Sequence, residues 1–210
     1  MRLVEYYSHL NGYEWLQYHK PHLWTELTEA IASIDADAMR TKVSKEKTMQ
    51  GKLLLSPSSL NKAFEEELIS IRGWKKPVSK SYFITDNADL TKRMIREGMD
   101  IEQQRELLEL NDKPTNSNYR SKNEADFEKE RVSIEVQLGK YAFVQYDIFV
   151  KHAANYMHDR IDLGIQIVPM KEMEMKMSSG PSNYERNLHE LLRQGRIFPP
   201  VPIILVGIAP

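Results

Sequence analysis

The last apolar segment of the chain constrains its fold more strongly than any other stretch. Val201–Ile208 contains no polar side chain. A strand with one solvated face alternates apolar and polar residues, whereas a strand covered on both faces is apolar throughout. The segment therefore predicts a central strand in a sheet that other elements cover on both sides.

Strands and helices alternate in the part of the chain that leads to this segment. The predicted elements are a strand at Val132–Leu138, a helix at Ala142–His158, a strand at Ile161–Val168, a connection at Lys171–Ser182 and a helix at Asn183–Gln194. The first strand alternates apolar and polar residues, which indicates that one of its faces is solvated. This order predicts an α/β domain with a central sheet flanked by helices.

The first half of the chain has the pattern of a mostly helical region. Predicted here are a helix at Leu23–Ile34, a basic stretch at Arg40–Lys52, a helix at Leu60–Ile71 capped by Ser59, a short strand at Lys80–Thr85 and a helical stretch at Asp89–Leu110 interrupted by Gly98. Asn111–Asn123 is rich in Asn, Ser, Lys and Thr and predicts a loop. This loop divides the chain without requiring two domains.

Composition excludes several classes of function. The 210 residues include no cysteine, which excludes disulfide scaffolds, zinc ribbons and thiol nucleophiles. The net charge is −1, which argues against a non-specific nucleic-acid coat but leaves room for a local basic cleft. Met1–Leu10 carries charged residues and does not look like a signal peptide, and no apolar run is long enough to span a membrane. The reducing cytoplasm is the expected compartment.

Three polar residues carry the chemistry that the sequence suggests. Glu135 and Gln137 are two apart on a predicted strand, so their side chains point to the same face. A hairpin through Phe127–Arg131 would bring Asp126 beside Glu135. Two converging carboxylates on an apolar sheet are costly unless a cation compensates them, and hard oxygen ligands suit Mg²⁺. The spacing is compatible with phosphodiester hydrolysis.

A purely structural interpretation of the same residues stays open. Acidic side chains on a strand are common, and Asp126 and Glu135 can instead form ion pairs with Lys129, Arg131 or Lys140. The spacing alone does not decide between a metal site and a solvated, ion-paired surface.

A resemblance to a known family favours the metal site. Asp126, followed by Ile134-Glu-Val-Gln137 on a strand after a polar loop, resembles the PD-(D/E)XK motif, with Gln137 in the usual lysine position. The sequence is similar to type II restriction endonucleases of this superfamily, in the group that includes BstYI, BglII and BamHI. Further matching segments are Tyr7–Gly12, Arg40–Lys42, Ser44–Thr48, Gly139–Tyr141, Phe149–His152, Pro169–Glu172, Met177–Gly180, Arg193–Arg196 and Gly207–Pro210.

The resemblance implies a single restriction-endonuclease domain over residues 1–210. Its catalytic PD-(D/E)XK core, a central mixed β-sheet flanked by helices, would span about 124–210, and a mostly helical, DNA-contacting part about 1–123. It further implies a homodimer in the prokaryotic cytoplasm that cuts purine-GATC-pyrimidine duplexes with Mg²⁺ and leaves 5′ GATC overhangs. A companion DNA methyltransferase would protect host sites.

The resemblance also assigns roles to the site residues. Asp126, Glu135 and the carbonyl of Val136 would bind the metal, and Gln137 would orient the attacking water. Because Gln137 supplies only a dipole where the family has a charge, water activation would depend more on the metal, and we expect a sharp Mg²⁺ requirement.

Candidate DNA-binding residues lie in three segments. Lys140 follows the catalytic strand, where a lysine can donate to guanine, and Ser179 and Ser182 offer hydroxyls to base edges. Lys42 and Lys45 lie in the basic stretch and suit phosphate contacts. Each has an ordinary alternative, namely a solvated lysine, a helix-capping loop with Ser182 as the cap, and a charged surface loop.

The predicted helix at Ala142–His158 bears on the oligomeric state. Phe149 and Tyr156 widen its apolar stripe, which predicts a dimer surface, although a helix buried within one chain gives the same pattern.

The sequence leaves two competing functions open. One is an inactive DNA-binding protein on a nuclease fold, which only Gln137 supports. The other is a structure-specific repair nuclease, which a basic surplus would have favoured.

Overall fold

The computed structural model describes residues 1–44, 50–77, 81–83, 85–109, 120–122, 125–139, 142–177 and 180–210. The chain divides into two compact units, a larger one of residues 1–76 and 125–210 and a smaller one of residues 77–124. Most of the predicted loop at Asn111–Asn123 lies outside the described residues. No helix in the described part of the chain is long and apolar enough to cross a membrane.

The strands and helices follow one another along both units. The strands are β1 (Arg2–His9), β2 (Lys42–Val43), β3 (Leu53–Leu54), β4 (Ser81–Phe83), β5 (Arg120–Lys122), β6 (Phe127–Lys129), β7 (Val132–Val136), β8 (Leu163–Pro169) and β9 (Ile203–Ala209). The helices are α1 (Gly12–His19), α2 (Pro21–Ser33), α3 (Pro57–Glu65), α4 (Ala88–Arg96), α5 (Ile101–Leu107), α6 (Ala142–Tyr146), α7 (Ala153–Met157), α8 (Lys171–Glu174) and α9 (Tyr184–Gln194). A π-helical segment, Glu66–Ile71, continues α3, and another, Asp147–His152, joins α6 to α7.

The main sheet of the larger unit is mixed. Its strand order is β1-β9-β8-β7-β6, with β7, β8 and β9 parallel and with β1 and β6 antiparallel at the two edges. β9 lies between β1 and β8 and is buried along its whole length, so the predicted central strand is confirmed. The predicted central mixed sheet with flanking helices is also confirmed.

Both faces of this sheet are covered. One face packs against apolar side chains of α1, α2 and α3, among them Leu27 and Phe64, and the other packs against Val144, Ile148 and Leu191. All five residues of β7 are buried. The prediction of a half-buried strand there is therefore wrong, because the polar residues of β7 face a covering helix instead of solvent.

The N-terminal strand β1 was not predicted from the sequence. β1 pairs with β9 and forms an edge of the sheet, where much of it is exposed. Because an edge strand keeps polar residues, Arg2–His9 shows no continuous apolar run.

Helix ends follow local side-chain chemistry, at positions that differ slightly from those predicted. α3 begins after Ser56, whose hydroxyl accepts from the Ser59 amide at 3.4 Å, so Ser59 is not the cap. Pro57 suits the first helical position because its missing N–H is not needed there. α9 is capped by Asn183 rather than Ser182 and ends at Gly195, which has a φ of 89°.

The smaller unit combines one two-stranded sheet with two helices. β4 pairs antiparallel with β5, and the amide of Phe83 donates to Oε1 of the buried Gln104 at 3.0 Å. α4 and α5 are separated at Gly98, which has a φ of 60°, so the predicted interruption is confirmed. Asp100 caps α5 with a reciprocal bond to Gln103.

Candidate active site

A tight hairpin brings the two predicted carboxylates together. β6 and β7 pair with Phe127 opposite Ile134, so the next position in the register places Asp126 opposite Glu135. Glu130 and Arg131 form the turn with φ values of 49° and 64°, as a two-residue hairpin requires. The amide of Val136 donates to Oδ2 of Asp126 at 2.8 Å. The hairpin that the spacing predicted is confirmed.

Two of the cations that could have neutralised these carboxylates, Lys129 and Arg131, have other partners. Lys129 contacts both oxygens of Glu26, at 2.8 and 2.9 Å. Arg131 donates to Asp159 and to Asp162, at 2.6 and 2.9 Å, which raises the pKa of Arg131 and lowers that of Asp162. These pairs anchor the hairpin. Lys140, the third cation considered, lies outside the described residues.

Glu135 is paired instead with a lysine that the sequence analysis did not single out. Nζ of Lys151 lies 2.8 Å from Oε1 of Glu135 and 2.9 Å from Oδ1 of Asp147. The side chains of Glu135 and Asp147 are 3% and 4% exposed, and that of Lys151 is 18% exposed. Asp147 and Lys151 both lie on the π-helical segment that covers β7. The site thus contains a third carboxylate and a partly buried cation.

Burial and like charge shift the acid–base properties of this group. Burial, reinforced by the negative charge of Asp126, raises the pKa of Glu135 to about 9, although Lys151 opposes the shift. Burial also raises the pKa of Asp147. For Lys151 the attraction to both carboxylates outweighs burial and raises its pKa, so this side chain stays charged.

A row of polar residues continues from Glu135 under the same helix. Oγ of Ser133 lies 3.1 Å from Nδ1 of His152, and burial lowers the pKa of His152 to about 3, which keeps the ring neutral. Gly164 is opposite Ser133 on β8, and a Cβ there would come within 2.5 Å of the His152 ring. Gln166 is opposite Glu135 and fully buried. This polar row fixes the helix on the sheet.

A pocket opens beside Asp126 on the side of α3. It encloses about 160 Å³ and is lined by Asn61, Phe64, Glu65, Lys76, Asp126, Phe127 and Val136. Lys76 pairs with Glu65 across it at 2.8 Å. Asn61 and Glu65 therefore belong to the surroundings of the site, and no sequence motif pointed to them.

The donor set fits a hard divalent cation. Asp126 and Glu135 offer carboxylate oxygens, Val136 directly follows Glu135 in the chain, and Mg²⁺ in proteins often uses only one or two carboxylates and completes its shell with water and phosphate. Burial, with the charge of Asp126 added to it, holds the pKa of Glu135 high, and the positive charge of a cation bound here would favour the ionised carboxylate. Among the described residues, no three or more His, Asp or Glu side chains form a closed metal-binding group.

The remaining predicted site residues are placed less completely. Gln137 directly follows β7, its backbone amide donates to the carbonyl of Ile167 at 3.0 Å, and the residue is half-buried. Lys42 is exposed on β2. Ser182 is buried, and its hydroxyl accepts from Nδ2 of Asn187 at 2.9 Å. Lys45 and Ser179 lie outside the described residues.

Comparisons with known proteins identify the family and the fold of the chain. A family model described as restriction endonuclease BglII/BglIII matches residues 4–208. The crystal structure of BglII complexed with a DNA 16-mer is similar with 20% identity and a TM-score of 0.66, covering 100% of this chain and 79% of that one. The crystal structure of free BglII is similar with 18% identity and a TM-score of 0.55, covering 100% and 80%. No curated protein sequence matches the chain.

The family model spans all but the ends of the sequence, and the mixed sheet with its flanking helices is the fold of the two BglII structures. The chain belongs to the BglII/BglIII family of restriction endonucleases, which are site-specific deoxyribonucleases.

Proposed function

We propose that this chain is a type II restriction endonuclease that cuts both strands of purine-GATC-pyrimidine duplexes, requires Mg²⁺ and leaves 5′ GATC overhangs. The meeting of Asp126 and Glu135 at the end of β7, in a chain of this family, is the observation that carries the proposal. The recognition sequence rests on the resemblance of Ile134–Gln137 and of the other matching segments to BstYI, within the PD-(D/E)XK superfamily.

Each residue of the site has a task in this proposal. Asp126, Glu135 and the carbonyl of Val136 would hold Mg²⁺, and the side-chain amide of Gln137 would orient the attacking water. The cation, when bound, activates water and offsets the charge that develops on the phosphate. The amide of Val136 keeps Asp126 turned towards Glu135 through its 2.8 Å hydrogen bond.

The proposed DNA contacts follow the sequence resemblance. The base edges would be contacted by Lys140, Ser179 and Ser182, and the phosphates by Lys42 and Lys45. For Lys42 the exposed position on β2 supports this role. Ser182 reaches a base only if its bond with Asn187 opens. We treat residues 1–210 as one functional domain, with the catalytic core at about 124–210 and the DNA-contacting part at about 1–123.

An exposed apolar stripe on α6, the π-helical segment and α7 supports a homodimer. Phe143, Tyr146, Val150 and Met157 are 51%, 45%, 44% and 71% exposed, and Tyr156 is 40% exposed beside them. A palindromic target requires a two-fold enzyme with one site for each strand. Phe149 is less suited to this interface than predicted, because its ring stacks on Phe198 of the same chain at 5.7 Å.

The cellular setting follows from the activity. An enzyme that cuts a short palindrome would destroy the DNA of its own cell. We therefore propose a prokaryotic cytoplasmic location and a companion methyltransferase that modifies the same sites.

Digestion of a plasmid of known sequence tests the proposal directly. We expect discrete fragments with Mg²⁺ and none with a chelator, and sequenced ends that begin with GATC between a purine and a pyrimidine. Asp126→Asn should abolish cleavage, while the matched variant at the exposed Asp89, Asp89→Asn, should cleave normally. Fragments that end at another palindrome would reject the proposed specificity, and tight GATC binding without cleavage would reject the proposed reaction.

A further inference from the structure

The lysine at the centre of the site lies on the helix instead of the strand. Lys151 contacts Glu135 at 2.8 Å and Asp147 at 2.9 Å, and all three side chains are largely buried. Removing charged groups from water is expensive, and a buried ion pair seldom stabilises a fold more than apolar residues of similar size would. The stability of the fold alone therefore gives little reason for this group.

The backbone that carries the pair is also unusual. Asp147–His152 forms a π-helical segment between α6 and α7. Such segments are rare in proteins and are frequent at functional sites. Here the segment buries Asp147 and His152 and brings Lys151 against Glu135.

We propose that Lys151 is a positioning residue for Glu135 and provides, from the helix, the positive charge that the strand lacks at Gln137, while Asp147 holds Lys151 in place. This inference rests on the proposed function. Nζ of Lys151 binds Oε1 of Glu135, so Oε2 is the oxygen that a cation would take. The lysine keeps its proton throughout and forms no covalent bond.

A count of charges shows what the lysine does for the reaction. When ionised, Asp126, Glu135 and Asp147 carry three negative charges, which Lys151 and one divalent cation balance together. Without Lys151 the loaded site would be negative. It would then repel the phosphodiester, on which negative charge grows as water adds to phosphorus and the bond to the leaving O3′ breaks.

This role predicts that metal affinity and cleavage rate move in opposite directions. In Lys151→Met we expect Mn²⁺ to bind the DNA-free protein at least as tightly as in the wild type, because a nearby cation has been removed. Cleavage at saturating Mg²⁺ should fall about 100-fold. A purely structural lysine would weaken metal binding and cleavage together.

Moving the charge to the strand provides the decisive test. Gln137→Lys should restore cleavage at least 10-fold in the Lys151→Met background. In the otherwise native chain, the same change should give no gain in rate and should weaken Mn²⁺ binding, since the site then holds two lysines. Gln137 is half-buried at the end of β7, so the single variant should fold even if Lys151→Met does not.

Several outcomes would overturn the inference. Rapid cleavage by Lys151→Met would do so, as would faster cleavage by Gln137→Lys alone or a failed rescue in a folded double variant. Lys171→Met, at an exposed lysine on α8, is the matched control and should change neither measurement. A wild-type chain that does not cleave DNA would reject the proposed function itself, whereas an active wild type with an equally active Lys151→Met rejects only the role of the lysine.

Discussion

The two faces of the central sheet bury very different side chains. On one face β7 and β8 present Ile134 and Ile165 to a continuous apolar cluster. On the other face the same two strands present Ser133, Glu135 and Gln166 to the helix above. Both faces are closed to water, but burying Ile134 and Ile165 stabilises the fold, whereas burying Ser133, Glu135 and Gln166 does not. The contrast fits the proposed function, in which the polar face carries the chemistry.

The sharpest way to test this contrast is to remove the charge on the polar face without changing its shape. Glu135→Gln should reduce cleavage by at least about 1,000-fold, since a ligand oxygen of the proposed metal site is lost. The variant should nevertheless be no less stable than the wild type when no metal is present. Cleavage assays and thermal unfolding in a chelator measure the two effects. An inactive variant that is also strongly destabilised would mean that Glu135 supports the fold.

A truncation on the apolar face should have the reverse profile. Ile165 is fully buried, and Ile165→Ala should lower the free energy of unfolding by about 3 kcal/mol through lost transfer energy and a cavity. The cleavage rate of the protein that remains folded should be close to normal. Denaturant unfolding and the activity per folded molecule test this. A loss of activity with unchanged stability would contradict the separation of the two faces.

The close contact between β8 and the helix offers a test of the polar row itself. Gly164→Ala would place a Cβ 2.5 Å from Nδ1 of His152, so we expect a destabilisation of about 2 kcal/mol and a shifted helix. Gly51→Ala is a useful reference because its Cβ would meet no atom within 4 Å, although its φ of +80° adds strain. Equal stability of Gly164→Ala and the wild type would show that the ring can move away freely.

The pH dependence of stability gives the smallest effect for a single step of one pH unit, and the most specific one. The pKa of Glu135 is raised from 4.5 to about 9, so between these values the folded protein keeps a proton that the unfolded chain has released. Stability in a chelator should therefore fall as pH rises through this window, by up to about 1.4 kcal/mol for each pH unit. Glu135→Gln should lack this slope, which unfolding curves at pH 6, 7 and 8 would show. Parallel curves for both proteins would contradict the pKa shift.

The site residues on the β6–β7 hairpin could be predicted from the sequence, whereas those on the covering helix could not. Asp126 and Glu135 could be brought together from spacing alone, because hairpin pairing and the two-residue period of a strand are local rules. Lys151 and Asp147 could not, since their contact with β7 depends on how a separate helix packs. The edge strand β1 was missed for a related reason, because its pairing with β9 joins the two ends of the chain.

The apolar periodicity of the predicted helix at Ala142–His158 does not mark the side that packs on the sheet. Its regular apolar stripe includes Phe143, Tyr146, Val150 and Met157, and the structure leaves these residues exposed. The side that meets the sheet carries Asp147 and His152 together with Val144 and Ile148. A sequence pattern identifies an apolar stripe but does not say whether the stripe is covered by the same chain.

The π-helical segment makes the length of this helix a functional quantity. Each residue of an α-helix turns the surface by about 100°, so the widened turn at Asp147–His152 resets the rotational phase between α6 and α7. If the same residues were rewound as a regular α-helix, one half of the helix would rotate relative to the other. The lysine would then lose its carboxylates, or the outer apolar stripe would be split. Insertions, and substitutions that rewind this segment as a regular helix, should consequently be tolerated far less than changes in the surface loops, even where every other side chain is preserved.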